Sequence, residues 1–508
     1  MFKRINSLAL NGIDASMVSV ESDKANGLPS FDIVGLPDAA IKEARDRVRY
    51  AIFNSGYKFP IGKIAVNLAP ASNKKEGALY DLPILLSILY SSKQLDAPTD
   101  NKAFVGEVAL DGEVRPVHGI LSMADRAKKE GIEEFYVPYQ NAKEAAVIEG
   151  VKVFPVKTVR ELTEHLTGEN KIKPTAPTKV TVKDCEYPFD FSEVRGQYTA
   201  KYALEVAAAG SHNVLMIGPP GSGKSMLAKR IPTILPKMSF EEIIETSKIH
   251  SAAGKLPTDQ PLISVRPFRS PHHSISIAGM VGGGAIPKPG EISLANHGVL
   301  FLDELPEFGK RLSDTLRAPL EDGKITISRA ATSLTYPCSF MLVAAMNPCP
   351  CGYYGHPTKE CVCSETAVKK YLNRVSGPML DRFDIHIEVP SVKFDELSAD
   401  CSAESSEKIR ERVNAAREIQ QKRYEGTGIT CNANLTSSLV KKYCVLSDDA
   451  VDILKAAFQT LGLSARAYDR ILKLSRTIAD LNKSREIDRK HIISAINFRS
   501  LDNKYWSE

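Results

Sequence analysis

The run Gly218-Pro219-Pro220-Gly221-Ser222-Gly223-Lys224-Ser225 spaces its residues as G-x-x-x-x-G-K-[ST]. Each residue type suits a polyphosphate. Glycines let backbone N–H groups wrap the phosphates, and a helix starting near Lys224 aims its positive end at them. Lys224 is expected to reach the β- and γ-phosphates of ATP, and the Ser225 hydroxyl to ligate Mg2+. The apolar run 213–217 leads straight into the motif, the strand–loop–helix context that gives the pattern its weight. A second apolar run, Val299-Leu300-Phe301-Leu302, ends on Asp303 and Glu304. Asp303 is expected to hold Mg2+ through its water shell and Glu304 to polarise the attacking water. A third run, 340–346, ends at Asn347, which fits a side chain that positions the lytic water. Strand-terminal asparagines also occur as plain turn residues.

Cys349-Pro350-Cys351 and Cys361-Val362-Cys363 stand nine residues apart, with His356 between them. Four thiolates would satisfy tetrahedral Zn2+ and order the loop that carries them. His356 leaves the ligand set open, and four reduced cysteines in a tight loop are the plainer alternative.

These groups need several domains to position them. A chain of 508 residues exceeds one hydrophobic core, so about two to four domains are expected. With 43% hydrophobic and 25% charged residues, the composition is that of an ordinary globular protein. A net charge of +5 permits a basic groove without establishing one. No run approaches the ~18 apolar residues of a membrane span, and no cleavable leader pattern follows Lys3 and Arg4. No membrane association, a cytoplasmic location and reduced cysteines are the expectation. Residues 171–188, rich in Pro, Thr and Lys, read as a linker. Before it, β-like runs (17–20, 64–68, 104–108, 134–137) alternate with helix-like ones (39–55, 82–90, 120–129) in an α/β domain, 1–170. The phosphate-binding motifs occupy a second α/β domain, 189–395. Beyond it, 396–508 reads as a helical lid, with helices over 407–424, 434–443, 450–461, 465–482 and 489–498.

Longer runs carry a resemblance. Phe268-Arg269-Ser270-Pro271-His272-His273, Lys288-Pro289-Gly290-Glu291, Met346-Asn347-Pro348-Cys349-Pro350-Cys351-Gly352 and Met379-Leu380-Asp381-Arg382-Phe383-Asp384 closely resemble the magnesium-chelatase-like AAA+ ATPases. Gly35-Leu36-Pro37-Asp38, Asn67-Leu68-Ala69-Pro70 and Lys75-Glu76-Gly77-Ala78-Leu79 look like the ComM/YifB branch of that group. The resemblance spans nearly the whole chain. It implies a homo-oligomeric ring, hexameric by analogy, with ATP sites between subunits. Arg382 then becomes an arginine finger acting on the neighbour's nucleotide, unless it belongs to a plain Asp381–Arg382–Asp384 ion cluster; Arg374 is the fallback finger. Arg466 matches the position of a γ-phosphate sensor in the same or an adjacent subunit, with Arg470 one turn on as its competitor. The leading domain resembles the proteolytic domain of Lon-type proteases, whose Ser–Lys dyad would fall near Ala78–Leu79 and Leu121–Met123. Neither residue is there, so acyl transfer has no mechanism and an interaction or nucleic-acid-binding module is expected; Ser72 and Lys74 are read as surface residues. Residues 274–291, with Lys288, resemble a pore loop. Residues 321–329 read as a hairpin turning at Asp322-Gly323, and its Lys324 and Arg329 either track a phosphate backbone or are ordinary surface charges. Resemblance to the ComM branch implies a motor acting on DNA, in branch migration or strand exchange during recombination of transforming DNA. The alternative is a chelatase-type ATPase subunit that remodels a protein partner for Mg2+ insertion into a porphyrin. The histidines at 272 and 273 are assigned no chemistry.

Overall fold

A computed structural model describes residues 3–71, 75–178, 187–257, 260–284, 287–329, 332–392, 403–461, 464–499 and 501–506. The chain divides into two compact units, Met1–Lys183 with Ile243–Ser264, and Asp184–Glu242 with Val265–Glu508.

The leading unit is built on a seven-stranded mixed sheet, in the order Ser30–Val34, Lys63–Ala69, Asp14–Ala25, Lys3–Asn11, Lys102–Phe104, Glu134–Pro138, Lys152–Val156. Lys3–Asn11 and Asp14–Ala25 form an antiparallel hairpin whose two-residue loop puts Gly12 at φ 68°, a left-handed value that suits glycine. The helix Asp81–Ser91 is buried at all eleven positions, as its apolar run requires. Ala78 and Leu79 lie in the single 3-10 turn that feeds this helix. Leu121 and Ser122 are buried on the helix Ile120–Lys129, and the Ser122 hydroxyl donates to the Ile13 carbonyl. The two places where a dyad would sit therefore hold packing residues. Ser72 and Lys74 lie outside the described residues.

The sequence reading assigned 243–264 to the ATPase domain, whereas the structure packs Ile243–Ser264 with the leading unit. Ser251 donates to buried Glu144 and accepts from the Gly119 N–H at 3.0 Å, and Lys248 meets Asp125 at 2.7 Å. Burial pushes the Glu144 carboxyl up, against the hydrogen bonds that favour its anion.

The second unit holds a five-stranded parallel sheet, in the order Phe268–Arg269, Val299–Leu302, Met341–Met346, Val214–Ile217, Ile385–Glu388. Its three inner strands are buried at every position, the pattern of a parallel sheet covered on both faces. Among the described residues beyond 403 the regular elements are all helical, chiefly Ser406–Arg423, Ser437–Tyr443, Asp448–Leu461, Ala465–Leu481 and Arg489–Asn497. Their apolar faces share one core with the sheet.

The expected hairpin is displaced. Asp322 ends the helix Arg317–Asp322, and Gly323 at φ 63° caps it. The strands that pair are Lys324–Arg329 and Thr332–Pro337. A glycine in the left-handed region serves a helix C-cap as well as a hairpin turn, and here the cap takes it.

Candidate nucleotide site and the arginine cavity

The strand Val214–Ile217 runs into the glycine-rich loop, and the helix Lys224–Ile234 begins at its end with Gly223 at φ 90°. Gly218 to Ser225 thus form the turn between strand and helix. Lys224 is folded back over this loop. Its ammonium donates to the carbonyls of Gly218 (2.7 Å) and Pro219 (2.9 Å) and to Asn347 Oδ1 (3.2 Å). Burial pushes Lys224 down to about 8, against the pull of Asp303.

Neighbouring strands deliver the remaining groups to the same end of the sheet. Asp303 follows Val299–Leu302 and accepts a 2.6 Å hydrogen bond from the Ser225 hydroxyl. Hydroxyl and carboxylate oxygens side by side are the hard donor set that Mg2+ takes. Glu304 is exposed, with its backbone at φ 54° and ψ 49°. Asn347 follows Met341–Met346, and the Met346 carbonyl accepts from the Gly218 N–H at 3.2 Å. Together Pro220–Met226, Asp303, Glu304, Met346 and Asn347 line a cavity of 380 Å³.

One side chain that the sequence left without a role joins this group. The strand Phe268–Arg269 pairs with Val299–Leu302, and a few residues on, His273 Nδ1 stands 3.6 Å from Glu304 Oε2. The His272 and His273 rings lie 4.0 Å apart. The available signal was a histidine pair closing an edge strand beside the carboxylate strand, which only the strand order reveals.

The arginines sit elsewhere. Arg382, Arg466 and Arg470 line a separate cavity of 540 Å³ with Asn213, Asp384 and Lys473. Asn213 precedes the strand that ends at the glycine-rich loop, and its Nδ2 donates to the Arg382 carbonyl at 2.9 Å. The four residues Val214–Ile217 therefore separate the two cavities by roughly 13 Å along the sheet. Arg382 pairs with Glu321, not with Asp381 or Asp384 as an ion cluster would have it, and its buried Nε has no hydrogen-bond partner among the described residues. Asp384 instead meets Arg470 at 3.5 Å and His212 at 3.3 Å; the His212 hydrogen bond and the charges of Arg470 and Lys473 hold its carboxyl well below the usual range despite burial. Arg466 is largely exposed, 3.8 Å from Asp381, and Arg374 pairs with Glu307 at 2.6 Å.

The four cysteines converge. Sulfur separations are 3.3 Å for Cys349–Cys351 and 3.6 Å from Cys361 to each of them, and with Cys363 the four sulfurs lie within 4.8 Å of one another. His356 is not part of the group; its Nδ1 accepts from the Lys359 N–H at 3.0 Å and its Nε2 lies 3.4 Å from Ser391 Oγ. Lys288 lies in a two-residue ladder opposite Gly283 and is exposed, as is Lys324. The Arg329 side chain lies outside the described residues.

A phosphate-binding loop on a parallel sheet, with acidic and polar strand ends around it, defines a P-loop nucleotide site. Family models agree and reach further. Residues 190–397 match "Magnesium chelatase, subunit ChlI", 20–141 match "Subunit ChlI of Mg-chelatase", and 403–499 match its C-terminal model. The chain is 45% identical over 500 residues to "Uncharacterized protein YifB" of Escherichia coli (strain K12), covering 98% of this chain and 97% of the relative. It is 44% identical over 505 residues to "Competence protein ComM" of Haemophilus influenzae, with 98% and 97% covered. Similarity to "Magnesium-chelatase subunit ChlI" of Porphyra purpurea is 25% over 232 residues, covering 41% of this chain and 59% of that protein. The chain belongs to the ComM/YifB family of magnesium-chelatase-like AAA+ proteins, and membership with this P-loop implies an ATPase. Among the described residues no helix is long and apolar enough to cross a membrane.

Proposed function

We propose that the protein is a ring-forming ATP-driven motor that acts on DNA in recombination. The observation that carries this reading is the end-to-end similarity to a protein named for competence. The porphyrin reading has the weaker relative behind it: the Porphyra purpurea chelatase subunit is 25% identical and covers 41% of the chain. The leading domain, read as a Lon-like fold without its dyad, serves as an interaction module.

In this reading Lys224 leaves its carbonyl partners to bind the β- and γ-phosphates, Ser225 and Asp303 hold Mg2+, Glu304 polarises the attacking water and Asn347 positions it. Bound Mg2+ supplies neutralisation of phosphate charge. Arg382 and Arg466 lie too far from their own P-loop to help it, so they act on the nucleotide of an adjacent subunit, with Arg470 behind them holding Asp384. The converging thiolates of Cys349, Cys351, Cys361 and Cys363 add a structural zinc to the cofactor set. Lys288, Lys324 and Arg329 contact the DNA backbone.

The test is ATPase rate with and without single-stranded, duplex and forked DNA at two salt concentrations. DNA is expected to stimulate hydrolysis, and the stimulation to fall steeply as salt rises, because phosphate contacts release counterions. Replacing Lys324 and Arg329 with alanine is expected to lower stimulated more than basal turnover. DNA that neither binds nor stimulates in any form refutes the reading.

A further inference from the structure

Metal chemistry and nucleotide chemistry meet in one short stretch of chain. Cys349 lies two residues beyond Asn347 and is fully buried, while Cys351, Cys361 and Cys363 are half-buried. Zn–S bonds of ~2.3 Å directed to tetrahedral corners give sulfur separations of about 3.8 Å. The observed 3.3 and 3.6 Å are close to that. Four thiol groups gain little from one another, since S–H is a weak donor and sulfur a weak acceptor. A shared cation accounts for the convergence, and the Tyr354 N–H pointing at Cys349 Sγ (3.3 Å) is an outer-shell bond of the kind that supports a metal thiolate.

The same knuckle touches the phosphate-binding loop. Gly352, adjacent to Cys351, has φ 84°, and a Cβ placed on it would stand 2.7 Å from Cγ of Pro220 and closer still to its Cδ. At the other end of the stretch, the Met346 carbonyl holds the Gly218 N–H and Asn347 holds the Lys224 ammonium. The segment from Met346 to Gly352 therefore grips the loop at its entry, at Pro220 and at its lysine. The cysteine cluster lies at the far end of that grip.

We propose that a zinc ion bound by Cys349, Cys351, Cys361 and Cys363 braces the phosphate-binding loop, so that metal occupancy sets nucleotide affinity. This rests on the reading of Gly218–Ser225 as the ATP site. The brace acts through the Gly352–Pro220 contact and the Asn347 side chain, and it needs no ligand exchange at the metal.

The experiment uses the full chain purified under reducing conditions. Zinc is measured by elemental analysis, and the affinity for a fluorescent ATP analogue is measured before chelation, after it, and after Zn2+ is restored. About one zinc per chain is expected, with nucleotide binding weakened about tenfold on stripping and recovered on reloading. Gly352→Ala leaves every ligand in place. It is expected to keep its zinc and still weaken nucleotide binding, a readout that survives even where Cys361→Ser or Cys363→Ser fails to fold. Protein isolated without metal overturns the site. Zinc-loaded and stripped protein with equal nucleotide affinity overturns the brace while leaving the ATP site standing. Zinc-loaded protein that binds no nucleotide removes the ATP reading and the brace with it.

Discussion

The lysine of the phosphate-binding loop gives the sharpest prediction, because its ammonium is buried among backbone carbonyls. Burial pushes the Lys224 pKa down to about 8. At pH 9 about nine-tenths of the side chain is then neutral, against about one-tenth at pH 7. A triphosphate beside the amine favours the charged form, so binding takes up the missing proton. The bound state prefers the protonated lysine, so affinity is full below a pKa of about 8 and declines above it. Between pH 7 and pH 9 apparent affinity should fall about tenfold, with uptake of about 0.9 proton per site at the higher pH. Calorimetric titration with a non-hydrolysable ATP analogue and Mg2+, in buffers of different ionisation enthalpy, reads both quantities. Lys224→Arg, whose guanidinium does not titrate in this range, serves as the control and should show no uptake at pH 9. Equal proton counts at pH 7 and pH 9 in the wild type would refute the reasoning.

Two further outcomes depend on side chains away from the loop. Arg382→Ala should bind nucleotide normally yet lose hydrolysis; mixed with Lys224→Ala subunits it should regain some, because each variant supplies what the other lacks. Normal turnover by Arg382→Ala alone would remove it from the interface and turn attention to Arg374. His273→Ala should leave ATP affinity unchanged and alter basal hydrolysis severalfold, since the imidazole lies 3.6 Å from the Glu304 carboxylate; an unaltered steady-state rate would dismiss the contact as incidental.

The nucleotide loop was legible in the sequence because its signals are local. An apolar run, a glycine-rich turn and a strand ending in Asp303-Glu304 sit within a few residues of one another, and parallel strands bring their C-terminal ends to one side of a sheet. The separation of Arg382 and Arg466 from that loop was not legible, since it depends on strand order: both lie at the Asn213 end of a strand whose other end carries Gly218. The Asp322-Gly323 pair is ambiguous for a different reason, as one left-handed glycine can end a helix or turn a hairpin and its neighbours do not say which. Nor does an amphipathic pattern name its partner, so nothing in Ile243–Ser264 announced that Ser251 and Lys248 would meet Glu144 and Asp125. The cysteine spacing suggested a metal, but only geometry separates His356 from the four sulfurs.

Glu304 has a consequence of its own. Its φ of 54° lies in a region that a residue with a side chain occupies at a cost of the order of 1 kcal/mol. The chain accepts that cost where the carboxylate proposed to polarise water leaves its strand, so the working sequence is not the most stable sequence for this backbone. Selection for thermal tolerance alone would favour glycine here, and it would favour it against catalysis. Heat resistance and turnover thus compete for a single position, and variants bred for one should be checked for the other.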